Sequence, residues 1–344
     1  MSNHRESFIE STLAKEDFTF EIPLRPQKLA EFAGQEDVKE RLSVLIGAAK
    51  ERGDPLGHLI LSGPPGLGKT TLAGIISKEM GSTMVVTSGP MLERPADLAG
   101  VLSNLKKGDF LFIDEIHRLN VTVEEYLYPA MEDFVLDLMI DSGPNARSVQ
   151  LQLAPFTLIG ATTRVGLLSA PLRSRFSFNS RLNYYNPEIL QRILTRSSGI
   201  IKMKIEKNAL LEIAKRSRGT PRIANHLLKW VRDYAQMRAS SPITHNIALK
   251  ALEMLSIDEK GLDEMDKQLL TLMIDSFGGG PVGVNTLSIA VGETAQTLEE
   301  VHEPFLIMQG FLQRTPRGRV VTPLAYTHLG KPCPSELNQN KRKQ

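Results

Sequence analysis

HLILSGPPGLGKTTLA, residues 58–73, decides the fold. It joins an apolar run (58–63) to a glycine-rich turn and then to a helical pattern running from residue 70 to Gly81. The turn, GPPGLGKT (63–70), has the form G-x-x-x-x-G-K-T. Gly63, Gly66 and Gly68 permit the tight curvature that lets backbone N–H groups converge on phosphate oxygens. The following helix adds the partial positive charge of its N-terminus. Lys69 is placed to reach the β- and γ-phosphates of a nucleotide, and Thr70 to hold Mg²⁺. A strand before and a helix after are the context this motif requires, so the stretch predicts nucleotide binding.

Working outward, FLFIDE (110–115) buries an apolar strand and delivers Asp114 at its end, near the metal. Glu115, next along, is the candidate to polarise an attacking water. Short apolar runs recur at TMVVTSG (83–89), DFLFIDE (109–115) and FTLIGATT (156–163), and helical spacing shows at KERLSVLIGAAKER (39–52). Strands alternating with helices predict a parallel α/β sheet buried on both faces. Residues 134–153 alternate with period two around S-G-P-N, which predicts a β-hairpin. Residues 186–257 read as helical throughout, with cap signals at Asn186-Pro187 and around Gly219-Thr220-Pro221. GGGPVG (278–283) then separates helices expected at 263–277, 285–291 and 294–303 from GFLQRTPRGRVVT, an order compatible with a winged-helix domain.

At 344 residues there is room for two or three domains, each with its own core. The net charge of +2 does not announce a polyanion partner, but its distribution is uneven. Lys and Arg number 19 against 23 Asp and Glu in residues 1–184, 13 against 5 in 185–257, and 9 against 11 in 258–344. The basic middle segment suits nucleic acid or an acidic neighbouring subunit. One cysteine, Cys333, excludes an intramolecular disulfide and a cysteine-based metal site. The absence of a long apolar run or signal-like N-terminus makes the cytoplasm the expected compartment, with no membrane contact.

In order stand the phosphate loop, IDEIHR (113–118), GATTR (160–164), PLRSRF (171–176) and GTPR (219–222). With the longer strings GPPGLGKTTLA, FIDEIHRL, YPAMED, FTLIGATTR, RGTPRIAN and GFLQRTPRGR, residues 20–330 of the chain resemble the RuvB family of AAA+ ATPases. The resemblance implies an α/β phosphate-loop domain with a parallel sheet, a small all-helical lid and a C-terminal winged-helix domain. The expected division is an N-terminal arm (1–20), a large ATPase domain (21–185), the lid (186–257), a head (258–330) and a flexible tail (331–344), with a hinge at Tyr184-Tyr185-Asn186-Pro187. It further implies a homo-hexameric ring using ATP and Mg²⁺ to move duplex DNA through Holliday-junction branch migration in recombination and repair. A RuvA-like junction-binding protein would dock on the 134–153 hairpin, and a RuvC-like resolvase is a further partner.

Carried over by position, Thr163 or its neighbour Thr162 is the expected sensor 1, orienting water near the γ-phosphate. Arg175 is the expected arginine finger for the neighbouring subunit's ATP, with Arg173 as its rival, and Arg222 is sensor 2. Leu24, Arg25, Gly66, Leu67, Gly68, Lys69, Thr70, Thr71 and Tyr185 are expected around the nucleotide, joined by Glu132, Asp133 and Phe134. An arginine supplied in trans is worth about 10³–10⁵ in rate, so a lone subunit is expected to hydrolyse poorly.

Two surfaces carry partner expectations. Arg314, Arg317 and Arg319 in GFLQRTPRGR include no acid among them and suit a hairpin along a duplex backbone. Relatives often add a basic residue near 293–296, where this chain has Glu-Thr-Ala-Gln. The apolar alternation Leu136, Leu138, Ile140 and Val149, Leu151, Leu153 fits core packing or a docking patch equally well. An unfoldase is disfavoured because SGPMLERPADL (88–98) lacks an aromatic pore residue. A clamp loader leaves the basic hairpin unexplained, and the set Lys69, Asp114, Glu115 and Arg175 argues against a non-hydrolysing switch.

Overall fold

The computed structural model describes residues 18–140, 147–238 and 242–334. The expected arm therefore lies outside the described residues apart from its last three, which open helix α1 (Phe18–Leu24). Most of the expected tail, from residue 335, also lies outside them, but Lys331 is anchored, its Nζ 2.5 Å from both carboxylate oxygens of Asp275. The chain divides into two compact units, Ile22–Tyr185 and Asn186 onward, the second taking in the described residues up to Glu21. The division falls within the expected 184–187 joint.

In the first unit, helix α2 (Glu36–Arg52) precedes β1 (Leu59–Ser62), α3 (Lys69–Glu79), β2 (Met84–Ser88), α4 (Pro95–Leu102), β3 (Phe110–Asp114) and α5 (Val121–Glu132). There follow β4 (Val135–Ile140), β5 (Arg147–Gln152), β6 (Thr157–Thr162), α6 (Ala170–Ser174) and β7 (Phe178–Arg181). Strands β2-β3-β6-β1-β7 form one sheet in that order, every neighbouring pair parallel. All residues of β1 and β6 are buried, as a sheet covered on both faces demands. The fifth strand, β7, was not expected. Its sequence FNSR buries only alternate residues at the sheet edge, so it offers no continuous apolar run.

Hairpin β4–β5 pairs Leu136 with Leu151 and Leu138 with Val149, while its turn lies outside the described residues. Leu136 and Leu153 are fully buried in the core under β3 and α5, each worth about 1.5–3 kcal/mol of apolar burial. Leu151 is partly buried against the same core, and Val149 is 45% exposed. The alternating face is thus packed on the core at Leu136, Leu151 and Leu153 and open to solvent at Val149.

In the second unit, α7 (Pro187–Ile200), α8 (Lys207–Lys215), α9 (Pro221–Arg238) and α10 (His245–Met254) form the helical lid. Asn186 caps α7 through its side chain, accepting from Ile189 N, and Pro187 starts it. Apolar residues Leu190, Leu194, Ile213, Leu227, Val231 and Leu252 are all buried.

A winged-helix portion follows: α11 (Glu264–Phe277), α12 (Val284–Val291), α13 (Ala295–Thr297), a π-turn (Leu298–His302) and α14 (Glu303–Met308). Strands β8 (Leu312–Thr315) and β9 (Gly318–Val321) and helix α15 (Pro323–His328) complete it. The helical run expected to stop at 303 continues to Met308, with Pro304 following directly on the π-turn at Leu298–His302. Strands β8 and β9 pair Arg314 with Arg319, and Val282 bridges to Arg319 as a third strand position. No described helix is long and apolar enough to cross a membrane.

Candidate functional site

The C-terminal edge of the sheet collects the phosphate-loop residues. Gly63, directly after β1, donates its N–H to Thr162 O at the end of β6 (3.1 Å). Its φ is +137°, and a Cβ there would lie 2.5 Å from Leu182 O, so no larger residue fits. Gly66 and Gly68 also have positive φ, and α3 begins at Lys69. A glycine-rich turn of positive φ running directly into a helix at Lys69 is the backbone arrangement that suits a phosphate. Leu67 is buried, while Thr70 and Thr71 are half-buried on the first turn of α3.

Lys69 is buried, and its Nζ donates to Gly63 O (2.7 Å) and Pro64 O (2.9 Å). Burial pulls its ammonium down to about 8, opposed by the nearby carboxylates of Asp114 and Glu115. Loop carbonyls are weak substitutes for phosphate oxygens, whose charge would restore full protonation. These features fit a nucleotide.

Asp114 ends β3 in register with Ser88 of β2. Its Oδ1 accepts from the Glu115 backbone N–H (3.0 Å), which turns Glu115 into a left-handed conformation with φ +50°. Gly89 permits that turn, since a Cβ there would lie 2.6 Å from Glu115 O. The Glu115 carboxylate faces His117 Nε2 at 3.6 Å, and His117 Nδ1 shares a hydrogen bond with Thr162 Oγ1 at 2.9 Å. His117 is a positioning residue that sequence reasoning missed. Its only signal was an imidazole two residues beyond the acid pair in IDEIH.

The threonine alternatives separate on their hydroxyls. Thr162 Oγ1 is committed, accepting from Arg164 N (3.0 Å) as well as bonding His117. Thr163 Oγ1 is buried with no hydrogen-bond partner among the described residues. A buried hydroxyl without a partner carries a cost of about 1–3 kcal/mol, which a bound polar group would remove.

Tyr185 is buried and donates its hydroxyl to Leu67 O (3.2 Å). Burial pushes its phenol up to about 12, a hydrogen bond with Gln35 pulling the other way. Leu24 is buried and Arg25 half-buried at the start of the same unit.

Arg175 and Glu132 lie elsewhere. Ser177 and Phe178 both donate backbone N–H to His58 O, and His58 Nε2 contacts Met131 O (2.9 Å). His58 precedes β1, so this cluster sits at the N-terminal edge of the sheet. Four residues of β1, roughly 13 Å at the usual strand rise, separate it from the phosphate loop. Arg175 donates to Pro171 O (2.8 Å) and Glu132 Oε2 (3.2 Å), with its guanidinium 4.3 Å over Tyr128. Asp133 and Phe134 follow Glu132 directly, and Arg173 is exposed on α6.

In the second unit, Arg222 sits in the first turn of α9, its Nε 3.3 Å from Glu21 Oε1, which also meets His226 Nε2 at 2.9 Å. The three hairpin arginines differ. Arg314 and Arg317 are exposed. Arg319 is buried, donating through Nε and Nη2 to Glu303 (2.6 and 3.1 Å) and through Nη2 to Glu299 (2.8 Å). The expectation that all three line a duplex is corrected here. Freeing Arg319 would strand a buried carboxylate, at a cost of about 3–5 kcal/mol.

Comparison with known proteins bears on this arrangement. The model for the Holliday junction DNA helicase RuvB P-loop domain matches residues 24–182. That for the RuvB AAA lid domain matches 185–258, and that for the RuvB C-terminal winged helix domain 259–330. The chain belongs to the RuvB family. It is 64% identical over 324 residues to the RuvB branch migration complex subunit of Protochlamydia amoebophila, covering 94% of this chain and 98% of that one. The counterpart in Chlamydia pneumoniae is 58% identical over 314 residues, covering 91% and 93%. The solved Thermotoga maritima RuvB branch migration motor matches with a TM-score of 0.84 at 51% identity, covering 91% of this chain and all of that one. The RuvB architecture of phosphate-loop domain, helical lid and winged helix is therefore the fold of this chain.

Proposed function

We propose that this chain is the ATP- and Mg²⁺-driven motor subunit of Holliday-junction branch migration, a ring ATPase that translocates duplex DNA. The relatives it matches are named as a Holliday junction branch migration complex subunit and a branch migration motor. Lys69, Thr70 and the loop amides hold the phosphates, Thr70 and Asp114 hold the metal, and Glu115 activates water while Thr163 orients it. Metal-bound ATP supplies the electrophilic phosphorus, and the rest of the chemistry is positioning and charge neutralisation.

The observation carrying the ring reading is the placement of Arg175 at the edge of the sheet opposite its own phosphate loop. A finger so placed serves a nucleotide held by a neighbouring subunit, and a closed homo-hexamer gives every finger a site. Glu132, Asp133 and Phe134 belong to that donated edge, while Leu24, Arg25 and Tyr185 line the receiving pocket. Arg222 reports the γ-phosphate to the lid. Motion of lid against large domain about the 184–187 joint drives the DNA, in the manner of a hinge closure.

Arg314 and Arg317 meet the DNA backbone, with Arg319 as the buried strut of their hairpin. The test is ATP turnover with and without duplex DNA in the wild type and in Arg314→Ala/Arg317→Ala. DNA is expected to stimulate the wild type, and the double variant is expected to need about 10-fold more DNA or correspondingly lower salt, since each phosphate contact adds to the salt slope. Absence of DNA stimulation in the assembled wild type would remove the motor reading.

The apolar face left open at Val149 fits the RuvA-like partner, with a RuvC-like resolvase acting in the same assembly. Because Leu151 packs on the core, the informative substitution is Val149→Asp. It is expected to weaken capture of purified RuvA at least about tenfold, as a charge forced into an apolar contact does, while basal ATP turnover holds. Undiminished capture would place the partner on another surface.

A further inference from the structure

Beyond the hydrolytic residues, the second unit holds two clusters of charged contacts, joined through the adjacent residues His302 and Glu303, that no step of the motor cycle has yet used. It starts in Arg216-Ser217-Arg218, the turn leading into α9 four residues before Arg222. Both arginines are buried, and both grip the strand of chain leading from lid to winged helix. Arg216 Nη1 donates to Ile257 O (2.8 Å) and Arg218 Nε to Gly261 O (3.0 Å). Arg218 goes further. Its Nη2 lies 2.5 Å from Asp266 Oδ2 and 3.2 Å from Asp263 Oδ2, the two residues of the capping box that opens α11. Its guanidinium carbon stands 4.6 Å over the ring of Phe305 in α14.

Asp266 Oδ1 meets His302 Nδ1 at 2.7 Å, and both side chains are fully buried. Asp263, Asp266 and His302 bring ligand atoms within 4.8 Å of one another, but the Arg218 guanidinium already supplies the cation of this cluster. The residue after His302 is Glu303, which clamps Arg319 of β9. Arg319 shares Glu299 with Arg314, its cross-strand partner on the exposed hairpin.

We infer that Arg218–Asp266–His302 and Glu303–Arg319–Glu299 form one polar relay that transmits the position of the Arg222 turn to the Arg314 hairpin. The relay rests on the reading of Arg222 as nucleotide sensor and of the hairpin as DNA contact. Its physical basis is stiffness. Buried charge pairs have few alternative arrangements, because any displacement that parts them leaves an uncompensated charge in the interior. A shift of the α9 turn must therefore carry α11, the 298–303 turn and β9 with it, which is the contiguous kind of element that carries coupling between sites. Arg218 and His302 are positioning residues in this scheme and touch neither nucleotide nor DNA.

The test is the ratio of duplex-DNA Kd values measured on the full chain with ADP and with a non-hydrolysable ATP analogue, a quantity that stability alone does not move. Variants are Arg218→Met, His302→Leu, Glu299→Gln, and His302→Asn, which keeps a donor for Asp266. The wild type is expected to show a ratio of at least about fivefold, the lower end of ordinary allosteric coupling. Arg218→Met, His302→Leu and Glu299→Gln are expected to fall within about twofold of unity, and His302→Asn to keep most of the wild-type ratio. Glu299 is partly exposed, so its variant reports even if a buried one fails to fold. A wild-type ratio retained in folded Arg218→Met or in Glu299→Gln overturns the relay alone. A wild-type ratio near one, with no DNA stimulation of turnover, overturns the motor reading and the relay together.

Discussion

Replacing Arg175 with alanine is expected to lower ATP turnover of the assembled protein by about 10³–10⁵. At 1.36 kcal/mol per tenfold, that is about 4–7 kcal/mol of lost transition-state stabilisation. The contacts holding Arg175 within its own subunit cannot compete with such a gain. Its pair with Glu132 is half open to solvent and contributes about 0–1 kcal/mol. Its stacking over Tyr128 adds about 0.5–1 kcal/mol. The side chain is therefore pre-oriented by its neighbours yet free to leave them for a phosphate. Mixing variant and wild type in varying ratio tests the trans assignment. Turnover is expected to fall faster than simple dilution, because each variant subunit disables a neighbour's site. A linear fall would assign the finger to its own subunit, against the geometry of β1. Arg173→Ala is the control: its exposed side chain predicts little change, and a large loss there would exchange the two roles.

What could be read from the sequence follows from how local each feature is. The phosphate loop, the acids ending β3 and the three interior strands β1, β3 and β6 are written in contiguous residues, and each of these strands is apolar because the sheet buries both its faces. Strand β7 escaped because an edge strand reading FNSR owes its conformation to pairing with β1, which no local pattern encodes. The three hairpin arginines look alike in sequence. What separates Arg319 from Arg314 and Arg317 is the buried carboxylate of Glu303, 16 residues upstream and brought alongside by the fold. The choice between Thr162 and Thr163 was open for the same reason, since His117, 45 residues away, engages one hydroxyl and leaves the other. The hairpin alternation was legible, but not which of its apolar residues the core would cover.

Glu115→Gln is expected to lower hydrolysis by about 10²–10⁴ while leaving nucleotide affinity near that of the wild type. The expectation follows from where the carboxylate stands. Its backbone is fixed by the bond from its own N–H to Asp114 and by the close approach of Gly89, so the side chain leaves the strand in one direction. There it is 30% exposed, open enough to reach a water, with His117 holding one side. Glutamine keeps the shape and the hydrogen-bonding reach but cannot take a proton. Asp114 differs, since its Oδ1 is engaged by the Glu115 amide and it is the residue proposed to hold the metal, so Asp114→Asn should weaken metal-dependent binding as well. Single-turnover hydrolysis of prebound ATP, set beside the Kd of a fluorescent nucleotide, separates the two. Hydrolysis lost with affinity retained makes Glu115 the base. Equal losses in both would make it a binding residue, and turnover within tenfold of wild type would move general-base duty to another group. His117→Ala should fall between, because it leaves the carboxylate in place while removing both its neighbour and the bond that orients Thr162.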